Sequence, residues 1–389
     1  MRSRTQWVGI AQARVLAMVV ACWCATTGVE AAGPPGGGSD LDSIRSTAPN
    51  PGFDLVLRPR AFEFPRDHGS HPRFRHEWWY VTGNLDSSSG ERFGFELTFF
   101  RTGLLPPGAG RSGGGDSAWH TRQLYSAHFA ITDVARGQFH FAEKFSRDAL
   151  GLAGAQAEPF RVWLDDWMLG VPEGSNGHWQ LRAQGQGYEL TLEVEPLLGP
   201  VLNGDQGMNR SADEPGAASY YYSIPRLAVQ GQLARGGTVS DVRGLAWLDR
   251  EWGTGSLGSN EQGWDWFALQ LRDGSTLMLY GLRNRDGTRD PHSAGTWVDP
   301  AGRARSLTAE QISIDVLDHW VSPMGGRYPS RWRVRVPEVG LDVEARPVLP
   351  DQELRTRPRY WEGAVDVRGT REGHSTDGRG YVELVGYAE

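Results

Sequence analysis

Between Phe93 and Phe99 every second residue is large and apolar, namely Phe93, Phe95, Leu97 and Phe99, while Gly94, Glu96 and Thr98 lie between them. Only a strand sends successive side chains to opposite faces, so a period of two predicts a strand with one buried face. Residues 77–85 precede it across Asp86-Ser87-Ser88-Ser89-Gly90, and the two segments read as a hairpin. The same alternation recurs along the chain. Strands are expected near 125–132, 138–146, 160–165, 178–184, 187–195 and 220–233 in the first half. In the second half they are expected near 242–250, 264–272, 276–283, 294–298, 311–317, 330–336, 340–345, 361–369 and 380–387. Asp273-Gly274 is the signal of a tight hairpin turn. Hardly any segment carries a helical period. Short strands without crossover helices imply antiparallel barrels or sandwiches rather than βαβ units, so the expected class is all-β.

A chain of 389 residues exceeds the size at which single cores usually stop growing, and two domains are expected. The boundary is placed near 235–241, at Arg235-Gly236-Gly237-Thr238, giving domains at 51–238 and 239–389. Leu104 to Gly115 reads as a Gly/Pro loop and Pro196 to Pro215 as an irregular insertion, and limited proteolysis is expected to cut first in 32–50, 104–118 or 196–216. At the amino end, Arg2, Arg4 and Arg14 precede the apolar run Val15 to Ala21, and small residues follow at Val29-Glu30-Ala31. This is the pattern of a secretory signal cut after Ala31, too short to span a bilayer. An alternative is a lipoprotein signal ending before Cys22, because Val19-Val20-Ala21-Cys22 is similar to a lipobox; lipidated Cys22 would then hold the chain to a membrane. Residues 32–50 read as a flexible linker. Both cysteines, Cys22 and Cys24, fall inside the signal, so a chain cut after Ala31 has no thiol chemistry. The net charge of −7 without a basic stripe argues against nucleic acid as a partner.

The stretch with the strongest claim to chemistry is Trp247-Leu248-Asp249-Arg250-Glu251-Trp252, a strand running into Gly253-Thr254-Gly255. Alternation puts Trp247, Asp249 and Glu251 on one face and Leu248, Arg250 and Trp252 on the other. Gly263-Trp264-Asp265-Trp266-Phe267 again sets an acid among aromatics. Other motifs fail. Gly253 to Gly258 matches G-x-G-x-x-G, but no helix or βαβ unit follows. His76-Glu77-Trp78-Trp79-Tyr80 begins like a zinc-protease helix, yet a tyrosine stands at the second histidine position and the segment reads as strand. No metal site and no cofactor are expected.

Several segments together resemble the AttH/carotenoid 1,2-hydratase family: His71-Pro72-x-Phe74-x-x-Glu77-Trp78-Trp79-Tyr80-Val81-Thr82-Gly83, His128 to Asp133, Tyr220 to Leu227, Trp247 to Trp252 and Gly263 to Phe267. The carboxyl end is similar to it too, at Tyr360 to Val365 and Gly380 to Tyr387. The resemblance implies two lipocalin-like domains side by side, and a role as hydratase, hydrolase or partner of an envelope transporter. It implies that Asp249 matches the hydratase aspartate, which acts as acid without a redox cofactor. The match is incomplete, since Trp247 stands where the hydratases have tyrosine, Tyr220 to Tyr222 lack their histidine, and Arg250 replaces a common histidine.

The resulting expectation is a secreted or periplasmic acid–base protein for an apolar, isoprenoid or lipid-like ligand. Asp249 would donate a proton and Glu251 hold the water as general base. Trp247, Trp252, Trp264, Asp265, Trp266, Tyr220, Tyr222, Glu77, Trp79 and His128 would line the ligand. The alternative is a carrier or chaperone for a lipid, without turnover, working with an envelope export system.

Overall fold

The structure, a computed structural model, describes residues 52–108, 121–174, 177–255, 258 and 260–388. The expected signal, Cys22 and the linker 32–50 lie outside the described residues. Two antiparallel sheets account for nearly all of it. The first contains β1 (His76–Ser87), β2 (Arg92–Gly103), β3 (Gln123–Asp133), β4 (Gln138–Arg147), β5 (Ala153–Ala157), β6 (Phe160–Leu164), β7 (Trp167–Gly170), β8 (Trp179–Gly185) and β9 (Tyr188–Pro196). It continues through β10 (Val201–Leu202), β11 (Met208–Arg210), β12 (Ala218–Arg235) and β13 (Thr238–Gly253). The second holds β14 (Glu261–Leu271), β15 (Thr276–Asn284), β16 (Ala294–Val298), β17 (Ala304–Thr308), β18 (Ser313–Val321), β19 (Arg327–Val336), β20 (Leu341–Pro347), β21 (Glu353–Leu354), β22 (Tyr360–Arg371) and β23 (His374–Leu384).

In the first sheet the strand order is β4-β3-β2-β1-β13-β12-β9-β8-β7-β6-β5. The sheet curls until its ends approach. Lys144 of β4 pairs with Asp166 beside β7, and a Cβ on Gly185 of β8 would stand 2.4 Å from the Ala142 side chain of β4. This near-closed barrel is filled by the alternating residues of each strand, among them Phe93, Phe95, Leu97 and Phe99. The second sheet, ordered β17-β16-β15-β14-β23-β22-β20-β19-β18, wraps a separate core around Trp332 and Trp361. The expected all-β class and paired lipocalin-like architecture therefore hold.

The change of sheet does not fall at 235–241. Gly236 and Gly237, both at positive φ, make the two-residue turn of the β12–β13 hairpin, where only glycine adopts both conformations without strain. All of β13 belongs to the first sheet, and the chain crosses to the second between Gly253 and Glu261. A glycine pair reads alike as linker or as tight turn. Residues 196–215 also differ from the expected loose loop. They carry β10 and β11 onto β12, with Val201, Asn203 and Met208 buried, and Asn209 accepts a 2.5 Å hydrogen bond from Tyr280. Pro225, which has no N–H for the ladder, sits at the register shift between Ile224 and Leu227.

The outer faces of the two sheets meet. Tyr80, Tyr221, Trp247, Trp266, Ala268, Met278, Ala364 and Tyr381 form the shared apolar cluster. The approach is close at Gly94, where a Cβ would lie 2.7 Å from the Ala364 side chain. Gln270 ties the sheets by donating to the carbonyls of Pro225 and Ala246 at 2.8 and 2.9 Å.

Candidate active site between the sheets

The β13 face bearing Trp247, Asp249 and Glu251 is the one turned to the second sheet, while Leu248 and Trp252 enter the first barrel's core. Register then dictates the neighbours. Asp249 stands between Tyr80 of β1 and Ser223 of β12, and Glu251 between Trp78 and Tyr221. Trp264 and Trp266 of β14, Tyr360 and Glu362 of β22, and Tyr381 and Glu383 of β23 carry the same parity on the opposing sheet, and the aromatic cluster shared by the sheets contains Trp264, Trp266 and Tyr381.

Asp249 is 3% exposed. Trp247 Nε1 donates to its Oδ1 at 2.6 Å, and the hydroxyls of Ser223 and Tyr221 donate to Oδ1 and Oδ2. Trp266 Nε1 donates in turn to Tyr221 Oη at 3.1 Å. Burial pushes the Asp249 carboxyl up to about 6, the donors from Ser223, Tyr221 and Trp247 holding it from rising further. Glu251, which accepts from Ser219 Oγ, is raised by burial and by the charges of Asp249 and Glu383 to about 8. Glu383, the acceptor of the 2.9 Å bond from Trp264 Nε1, is raised by burial to about 7. Burial also carries Glu96 and Glu362 well above the usual carboxylate range. His128 completes the wall, with Nδ1 2.6 Å from Tyr360 Oη and Nε2 3.1 Å from Glu143.

The expected ligand-lining residues thus divide between two faces. Asp249, Glu251, Trp247, Trp264, Trp266 and His128 share the space between the sheets. Tyr220, Tyr222, Trp252 and Trp79 belong instead to the packed interior of the first barrel. There His71 stacks on Trp252 at 3.9 Å, Arg250 lies 3.8 Å from the Trp79 ring, and Tyr222 Oη meets His68 Nδ1 at 2.7 Å. Glu77 is buried with them between Arg101 and Arg250. Burial alone would raise its carboxyl, but the two guanidiniums hold it far below the usual range. Asp265 points away from Trp264 and Trp266 and binds Arg283 and Tyr387, at 2.8 and 2.9 Å. Strand parity explains each case, because neighbours in sequence occupy opposite faces.

Sequence reasoning passed over Tyr221, Ser223, Tyr80, Glu96, Glu362 and Glu383. Tyr221 sits between Tyr220 and Tyr222, and only the pairing of β12 with β13 singles it out. Glu362 and Glu383 lie in the matched carboxyl-terminal segments, where their alternation with Trp361 and Leu384 was already visible.

Known proteins are similar to this chain in sequence and in fold. The chain is similar to a kievitone hydratase of Fusarium solani subsp. phaseoli, 24% identical over 43% of this chain and 49% of the relative. It is also similar to the dehydratase asqC of Emericella nidulans, 25% identical over 51% of this chain and 58% of the relative. The chain therefore spans about half the length of the curated relatives it matches. A crystal structure of an AttH candidate from Nitrosomonas europaea superposes with a TM-score of 0.75 at 36% identity, over 86% of this chain and all of that one. The AttH-like family model matches residues 55–387, which takes in both sheets and the space between them, and the chain belongs to the AttH-like family.

Proposed function

We propose that this protein is a hydro-lyase that adds or removes water on an apolar, oxygen-bearing ligand held between the two sheets. The observation that carries the reading is the Asp249–Glu251 pair, two carboxyls on one strand face whose proton affinities are separated by their surroundings. The hydratase and dehydratase relatives support the reaction class.

The roles within the pair are the reverse of those expected from the sequence. Near neutral pH Asp249, with its three donors, is mostly ionised, whereas Glu251 keeps its proton. In the dehydration direction Asp249 takes a proton from carbon, and the C–H electron pair becomes the new double bond. The neighbouring C–O bond breaks, and Glu251 gives its proton to the departing hydroxyl, which leaves as water. Hydration runs the same steps backwards. The surrounding indoles of Trp247, Trp264 and Trp266 provide the flat apolar wall such a ligand needs.

A carrier is the second reading, favoured by the aromatic content of the same wall. The test is to purify the Asp249→Asn protein, identify by mass spectrometry what accompanies it, and present that compound to the native protein. A product differing by one water supports the hydro-lyase. Release of the compound unchanged supports the carrier.

The signal pattern in residues 1–31 leads us to assign this chemistry to the outside of the cytoplasm. Cys22→Ser separates simple cleavage, which is indifferent to the change, from lipid anchoring, which it abolishes. An intact Met1 on the envelope protein would refute both.

A further inference from the structure

Beyond the Asp249–Glu251 pair, the space between the sheets contains a second polar group that the proposed chemistry does not use. Glu96 and Thr98 from β2, Tyr80 from β1, Glu362 from β22 and Tyr381 from β23 are each 5% exposed or less. Thr98 lies beside Glu96, Tyr80 and Tyr360 beside Glu362, and Tyr381 beside Thr132, yet both Glu96 carboxyl oxygens, Glu362 Oε1, Thr98 Oγ1 and the Tyr80 and Tyr381 hydroxyls lack a hydrogen bond of good geometry to any of the described residues. Buried polar atoms are rarely left so, because each unmet donor or acceptor costs about 1–3 kcal/mol. Such atoms converging from two sheets at one place are the mark of a missing partner.

We propose that the Glu96–Glu362 cluster is a subsite for a neutral hydroxyl or carbonyl oxygen of the ligand. The chemistry of the cluster selects that class. Tyr80, Tyr381 and Thr98 offer O–H groups whose present partners, Glu362, Thr132 and Glu96, are poorly aligned, and an ammonium has no acceptor to give them. An anionic group would meet the ionised Asp249 and the other carboxyls of this face in a low-dielectric space. A neutral oxygen accepts from the hydroxyls and, where it is itself a hydroxyl, donates to a carboxyl oxygen. Burial, with the charge of Glu383 near both and that of Glu96 near Glu362, favours the acid form of the two carboxyls, in which they too can donate. Asp249 and Glu251 then perform the proton transfer while Glu96 and Glu362 orient the ligand.

This inference rests on the hydro-lyase reading only in seating the ligand between the sheets. Binding of 2-naphthol, naphthalene, 2-naphthoate and 2-naphthylmethylamine, followed by calorimetry at pH 7, tests it without turnover. The native protein should bind 2-naphthol roughly five- to tenfold more tightly than naphthalene, the worth of one net hydrogen bond. Naphthoate and the amine should bind no better than naphthalene. Glu96→Gln and Glu362→Gln should keep the preference for naphthol, since an amide mimics a neutral acid, while Glu96→Leu and Glu362→Leu should lose it. Equal binding of naphthol and naphthalene to the native protein would overturn the proposal and leave water as the occupant. Preference for the amine, or an undiminished naphthol preference in the Leu variants, would overturn it as well. If the Leu variants do not fold, infrared difference spectra of the Gln variants decide. They should each remove a protonated-carboxyl band at pH 7, and no change in that band would mean ionised carboxylates, which select a cation, and would overturn the proposal. Asp249→Asn should leave the naphthol preference intact, so failure of this subsite and failure of the hydro-lyase reading give different results.

Discussion

Asp249→Asn should make the protein more stable at alkaline pH while abolishing its turnover. The carboxyl is moved by burial from 3.8 to about 6, a shift of roughly two units or about 3 kcal/mol. A folded value above the unfolded one means that the native state favours the protonated form. Its contribution is fully present below 3.8 and is lost as pH rises through about 6. Above that range the native protein carries the whole unfavourable effect of a buried charge, and asparagine carries none. The amide keeps the shape and its oxygen still accepts from Trp247 and Ser223, but its NH₂ faces Tyr221, whose hydroxyl must turn to accept. Rearranging that bond costs about 1 kcal/mol. The net gain at pH 8 is therefore about 1–3 kcal/mol, a rise in Tm of a few degrees for a chain of this size. Near pH 4 the gain disappears and the variant should be equal or slightly worse. Thermal melts at the two pH values, together with turnover, are the assay. A variant that melts lower than the native protein by the same amount at both pH values would show that Asp249 is a structural acceptor, and retained turnover would remove it from the chemistry.

Turnover of the native protein should follow a bell with an acid limb near 6, where Asp249 gains its proton, and an alkaline limb near 8, where Glu251 loses its own. Glu251→Gln should lower turnover at least a hundredfold and abolish the alkaline limb in what remains; an unchanged limb assigns it to another group. Trp247→Phe removes one donor from the Asp249 carboxylate, so the acid limb should move up by about half a unit to one unit, read from the pH profile. A downward shift would contradict the hydrogen-bond argument. Gly94→Ala drives a methyl into Ala364 where the sheets touch, and should destabilise by about 1–3 kcal/mol in denaturant titration while weakening ligand binding. Unaltered stability would mean that the sheets are free to separate there.

Local sequence was sufficient for much of the fold. The period of two in Phe93, Phe95, Leu97 and Phe99 required a strand, and Asp273-Gly274 required a turn, because both are properties of a few adjacent residues. The same alternation correctly put Asp249 with Glu251 and opposite Arg250. What it could not provide was the identity of each face's neighbour. Tyr220 and Tyr222 fill a barrel and Tyr221 binds Asp249, although all three are tyrosines in one run, because only the pairing of β12 with β13 says which parity meets the second sheet. Gly236-Gly237 likewise became a hairpin turn rather than a linker when β13 joined the first sheet. Glu96 and Glu362 stand far apart along the chain and are brought together only by the packing of two outer faces. Their proton affinity, like that of Asp249, is set by how much water that packing excludes. A side chain's face is inherited from its neighbours in sequence, but its burial, and therefore its charge, is decided by residues hundreds of positions away.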